Sequence, residues 1–150
     1  MSTSMFDSKI VAIALGLFLL SGLVAQSETI NFKVDLKGSN EVPPNDAKGT
    51  GVITATFDTV TKKLSWNITH SGLTANPTMS HFHGPSNPYR TAPIIIPIPG
   101  NLVSPIEGSV MLTDEQANDL MNGRWYLNVH TAAHPPGEIR GQMIPSTSKP

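Results

Sequence analysis

The chain has 150 residues, no cysteine, 14% charged residues and a formal net charge of -1. Near-neutral charge without a basic run argues against a nucleic-acid or anionic-membrane surface, since either needs clustered Lys and Arg to displace counterions. The missing thiols exclude disulfide scaffolds, thiolate metal sites and cysteine nucleophiles, while 13 prolines, 12 glycines and 6% aromatics favour short β-elements over a helical bundle.

Lys9 precedes the apolar run from Ile10 to Leu20, and Ser21-Gly22-Leu23-Val24-Ala25 follows. A charged start, a hydrophobic segment and a small-residue zone in that order predict a signal peptide over residues 1–25, cut after Ala25 or after Ser27. The alternative is an uncleaved anchor, because no charge falls between Lys9 and Glu28 and the run approaches the roughly 20 residues that span a bilayer. Ser21, Gly22, Gln26 and Ser27 dilute its end and favour cleavage. The remainder is expected to fold as one secreted or periplasmic domain, residues 26–145, with a flexible tail at 146–150 and no stable membrane insertion after cleavage.

Within that domain Ile30, Phe32, Val34 and Leu36 alternate with polar residues, the period of a half-buried strand. Pro43 and Pro44 end it, because neither can donate a ladder hydrogen bond. Ile53, Ala55 and Phe57 resume the alternation, and after a polar turn Leu64, Trp66 and Ile68 return as a hairpin. Extended structure is expected at Thr78 to His83, Ile94 to Ile96, Gly108 to Leu112, Trp125 to Thr131 and Glu138 to Ile144. Thr113-Asp114-Glu115-Gln116 has the spacing of a capping box, so one short helix should start there and end at Gly123. Seven or eight short strands with turns between them predict an all-β fold, an antiparallel Greek-key β-sandwich.

Five histidines occur, at 70, 81, 83, 130 and 134. In His81-Phe82-His83, residues i and i+2 share a face, so both imidazoles project to one side and Phe82 to the core. Trp125, Leu127 and Val129 take the core side of the late strand, so His130 also points away from it. If the two strands are close, three nitrogens converge on one metal; two exposed side chains are the plain alternative. Imidazole suits copper and zinc, and the lack of cysteine excludes a blue-copper centre of the His and Cys type. His134 is read as a fourth ligand, a supporting hydrogen-bond donor or an exposed residue, and His70 as surface. Glu138, Arg140 and Gln142 alternate with Ile139 and Met143. Arg140 would either attract a small anion to the metal or pair with Glu138 or another carboxylate. Ser80 and His81 have side chains on opposite strand faces, so they cannot act as nucleophile and base.

Five blocks in order carry a resemblance: Leu36-Lys37-Gly38-Ser39-Asn40-Glu41-Val42-Pro43-Pro44, Gly49-Thr50-Gly51, Ser80-His81-Phe82-His83-Gly84-Pro85, Tyr126-Leu127-Asn128-Val129-His130-Thr131 and Pro136-Gly137-Glu138-Ile139-Arg140-Gly141-Gln142. Together, from about Ile30 to Ile144, they resemble the CHRD domain, named for its occurrence in chordin. The resemblance implies an immunoglobulin-like or superoxide dismutase-like sandwich. The order of His-x-His, late histidine and arginine also resembles the copper side of copper/zinc superoxide dismutases. That second resemblance implies copper ligation by His81, His83 and His130, and Arg140 as an anion guide. No cysteine provides a dismutase disulfide and no histidine run provides a zinc subsite, so one copper ion per chain is expected, with His134 as the spare candidate ligand.

Two functions follow as expectations. One is a secreted copper protein with superoxide dismutase-like activity, whose substrate is superoxide or another small anion. The other is a non-enzymatic extracellular module that sequesters copper or binds a protein partner through the loops around Asn40 to Asp46 and Ser86 to Pro93.

Overall fold

The computed structural model describes residues 26–146; the expected signal peptide and the end of the tail, residues 147–150, lie outside the described residues. Eight strands and one helix follow in order: β1 Thr29–Lys37, β2 Thr50–Asp58, β3 Lys63–Ser71, β4 Pro77–His83, β5 Ile94–Pro97, β6 Ile106–Met111, α1 Asp114–Met121, β7 Tyr126–Thr131 and β8 Ile139–Gln142. Among the described residues no helix is long and apolar enough to cross a membrane.

The strands form one antiparallel sheet in the order β5-β4-β7-β8-β1-β2-β3-β6. It is joined in the middle by a thin seam, where β1 meets β8 only through Lys37 and Arg140. About this seam the sheet curls into two facing halves. Trp66 of β3 meets Phe82 of β4 edge to face, with centroids 5.3 Å apart, although their strands lie far apart in the sheet order. Ile96 of β5 and Val110 of β6, the two edge strands, line one cavity with Trp66. The chain crosses between halves after β3, after β5 and after β6, which gives the Greek-key sandwich that the alternation predicts.

Local chemistry accounts for the element ends. The β2–β3 hairpin turns on Asp58, whose carboxylate accepts the backbone N–H groups of Val60 and Thr61. Helix α1 starts with a complete capping box: the Thr113 hydroxyl accepts from Gln116 N, and the Gln116 side chain accepts from Thr113 N. It ends at Gly123, whose positive φ of 67° suits a residue without Cβ. The core runs between the halves, from Phe32, Ile53 and Ile68 to Phe82, Leu127 and Ile139, and α1 adds Ala117 and Leu120.

Period-two alternation fails as a burial rule in β7. All six of its residues are buried, because the outer face of this strand is covered as well as the core face. The cover comes from three loops. The segment between β1 and β2 is pinned across β8 by Asn40 Nδ2, which donates to Arg140 O, and by Asn45 Nδ2, which donates to the carbonyls of Gly137 and Glu138. The β4–β5 and β7–β8 loops close over the same face. Ser146, expected in the tail, is held by its N–H donating to Asn31 O.

Candidate metal centre

β4 and β7 are adjacent, with His81 opposite Asn128 and His83 opposite Tyr126. Phe82 fills the core against Trp66 and Trp125, which turns His81 and His83 to the outer face of the sheet. His130 stands on that face one pair along, diagonal to His81. The three imidazoles each offer a nitrogen, and these atoms lie within 4.8 Å of one another. All three side chains are buried beneath the loops, so the face that points away from the core is a second, sheltered polar layer.

The hydrogen bonds of His83 and His130 turn their Nε2 atoms toward the cluster. His83 Nδ1 donates to Ala92 O at 2.9 Å and His130 Nδ1 donates to Pro135 O at 2.9 Å. A carbonyl oxygen only accepts, so each neutral ring carries its proton on Nδ1 and keeps Nε2 as an acceptor. His81 Nδ1 lies 3.2 Å from His130 Nε2 and therefore donates to it. His83 Nε2 is buried with no hydrogen-bond partner. Such an orphaned acceptor costs about 1–3 kcal/mol unless something fills its lone pair.

Burial and the neighbouring imidazoles of His130 and His83 push the His81 pKa down to about 4. Burial also lowers the pKa of His83, against the opposing effects of its bond to Ala92 and of the neighbouring Asn128 side chain. Both rings are thus neutral at pH 7, the form in which imidazole binds a metal. Metal–nitrogen distances near 2.0–2.1 Å allow ligand nitrogens up to about 4.2 Å apart, so this set needs only small side-chain shifts to close on one ion. The donor set and the orphaned nitrogen fit a metal ion held by three imidazoles, two of them, His83 and His130, with the outer nitrogen already tied to a carbonyl.

Beside the histidines lies a stack of planar groups. The Tyr126 ring is parallel to His83, with centroids 4.7 Å apart and planes 2° from parallel. The Arg140 guanidinium lies over Tyr126 with Cζ 3.4 Å from the ring centroid. Two groups so close to one centroid would overlap on a single face, so Tyr126 separates Arg140 from His83. Arg140 is 1% exposed and donates to Arg90 O at 2.8 Å. Among the described residues it makes no ion pair at contact distance.

The carboxylate that feels Arg140 is Glu41, at the end of a single 3-10 turn, Gly38–Asn40. Burial raises the Glu41 pKa to about 7, against the opposing attraction of Arg140 and a contact with Asn128. Gly137, with φ of 136°, lies against both Glu41 and Asn128, and any side chain there would strike them. A cleft of about 480 Å³ opens beside Glu41 and Arg140, with Tyr89 and Gln142 on its walls, but the three histidines do not line it. Among the described residues, Glu41 Oε1, Asn128 Oδ1 and Gln142 Oε1 join His83 Nε2 as buried polar atoms without a partner. The layer is polar, enclosed and short of hydrogen bonds.

The remaining candidates fall elsewhere. His134 stands outside the three-histidine cluster, and its backbone N–H and C=O bond to Thr131. Glu138 is not the partner of Arg140. Its carboxylate accepts from Thr131 Oγ1 and Thr74 N, both at 2.7 Å, and although burial would raise its pKa these bonds outweigh that and lower it. His70 lies on β3, half-buried, with Nε2 2.8 Å from Leu102 O. Sequence reasoning passed over Tyr126, Asn128 and Glu41. Tyr126 and Asn128 lie four and two residues before His130, so the same alternation places them on its face. Glu41 carries no such local signal, because a loop from the other half brings it in.

No curated protein and no solved structure matches the chain. The CHRD domain family model matches residues 32–143. That span takes in both sheet halves, the three clustered histidines and the Arg140 stack, and the chain belongs to the CHRD domain family.

Proposed function

We propose that this chain is a secreted or periplasmic copper-binding domain with one mononuclear site made by His81 Nδ1, His83 Nε2 and His130 Nε2. The observation that carries the reading is the convergence of three imidazoles, one with an orphaned buried nitrogen, on a sheltered sheet face. Imidazole donors favour copper over zinc in the usual affinity order. When bound, copper would supply one-electron exchange, taking an electron from one superoxide to give dioxygen and returning it to a second to give peroxide after protonation.

The chain's own residues have separable roles in this reading. Ala92 and Pro135 hold the outer nitrogens of His83 and His130, and so aim their Nε2 lone pairs. Ligation by His81 Nδ1 needs its ring proton moved to Nε2, which breaks the bond to His130. Arg140 acts as a positioning residue: it holds Tyr126 against His83 and adds positive potential behind that ring. Its guanidinium is turned to Arg90 O instead of toward the histidines, an observation that favours a second reading, copper sequestration without turnover.

Electron paramagnetic resonance of the mature domain titrated with Cu(II) tests the site. One tetragonal, nitrogen-rich signal is expected, saturating at about one equivalent and lost in His83→Ala and His130→Ala. A heterogeneous signal indifferent to both substitutions would overturn it. Superoxide decay then separates the two readings: copper-loaded protein that removes superoxide no faster than His130→Ala of measured copper content is a sequestering domain.

A further inference from the structure

We propose that Met79 is a fourth ligand in this site, a thioether that joins the three imidazoles when the copper is cuprous. The inference rests on the copper reading above and adds a residue and an oxidation-state preference to it. Met79, His81 and His83 occupy alternate positions of β4, so all three project from the same face. The register places Met79 directly opposite His130. Cβ atoms of such a pair are about 4.5–5.5 Å apart, and the three side-chain torsions of methionine let the sulfur swing over a neighbouring ring.

Exposure separates Met79 from the rest of the cluster. It is 47% exposed, whereas His81, His83 and His130 are each 8% exposed or less. A large apolar side chain left in solvent on the same sheet face as three buried imidazoles is not held by core packing. Thioether sulfur is a soft donor and selects Cu(I) over the harder Cu(II) and over carboxylate-type metals. With Met79 added, the site has four donors from two adjacent strands and favours the reduced ion. His134 has no comparable placement, since it lies in the loop between β7 and β8 and outside the cluster.

The test compares the intact mature domain with Met79→Leu, a volume-conserving change at an exposed position, and with His83→Ala. Anaerobic competition against a chromophoric Cu(I) chelator measures affinity for Cu(I). Electron paramagnetic resonance measures affinity for Cu(II), and copper-edge X-ray absorption reads the sulfur shell. Met79→Leu is expected to lose about tenfold in Cu(I) affinity with Cu(II) affinity unchanged, which lowers the reduction potential by about 59 mV, and to lose the sulfur scatterer. His83→Ala is expected to lose both oxidation states. Wild-type spectra without sulfur, or equal Cu(I) affinity in Met79→Leu, would overturn the role of Met79 while leaving the histidine site intact. Failure of the wild-type protein to bind copper in either state would overturn both.

Discussion

Two backbone carbonyls decide what the histidines can do. Ala92 O and Pro135 O fix the protons of His83 and His130 on their outer nitrogens, so the inner nitrogens are acceptors before any ion arrives. The same enclosure acts on Glu41, whose pKa of about 7 exceeds its usual 4.5 because the ionised form is desolvated. Below pH 4.5 folded and unfolded chains both carry the proton and the group is neutral in the balance. As pH rises toward 7 the unfolded chain ionises first, so the stability tied to protonated Glu41 is lost through that window. Glu41→Gln keeps the shape and removes the titration. Its melting temperature should match wild type near pH 4.5 and exceed it at pH 8, by the equivalent of a few kcal/mol at about 1.4 kcal/mol per pKa unit. Thermal unfolding of both proteins at the two pH values checks this, and an equal difference at both would contradict it.

At the scale of elements the weak point is the seam between β8 and β1. β8 has four residues and meets β1 through one residue pair, yet it carries Arg140 and closes the polar layer. The strands approach closely here because Gly141 has no side chain. A Cβ at that position would lie 2.5 Å from Val34 Cγ1 and 2.6 Å from Asp35 O. Val34 belongs to a regular strand and the Asp35 carbonyl is backbone, so neither can yield cheaply. Gly141→Ala is therefore expected to destabilise the domain by about 1–3 kcal/mol, as overpacking does, read as a lower urea midpoint with an unchanged slope. A midpoint equal to that of wild type would show that the seam opens freely. β4 presents the contrasting case. Phe82 anchors it between two tryptophans, so the two histidines flanking that anchor keep their direction.

For the whole molecule, a domain without disulfides relies on its core and on whatever it binds. A ligand that binds only the folded state at 100 times its Kd adds about 2.7 kcal/mol, which for a domain of this size raises the melting point by on the order of 10 °C. Calorimetry with Cu(II) should show such a rise in wild type and none in His83→Ala. The rise should persist at pH 5.5, because burial holds the His81 and His83 pKa values below the ordinary imidazole range and protons compete late for their nitrogens. Loss of the rise at pH 5.5 with normal binding at pH 7 would contradict the electrostatics of the layer.

Strand positions, the single capped helix and the direction of His81, His83 and His130 relative to the core were all legible from residue order. They depend on period-two alternation and on capping contacts three residues apart, which are properties of the local backbone. The alternation also held Tyr126 and Asn128, had it been read for polar neighbours of His130. Pairing between distant segments decided the rest. Only the adjacency of β4 and β7 brings His81 to 3.2 Å from His130 and sets Met79 opposite it. Only loop packing covers the outer face, turns Glu138 to Thr74 and Thr131, and places Tyr126 between Arg140 and His83. Alternation states which side of a strand a residue faces. Whether that side meets water or a second buried layer depends on burial and hydrogen bonding across the whole chain.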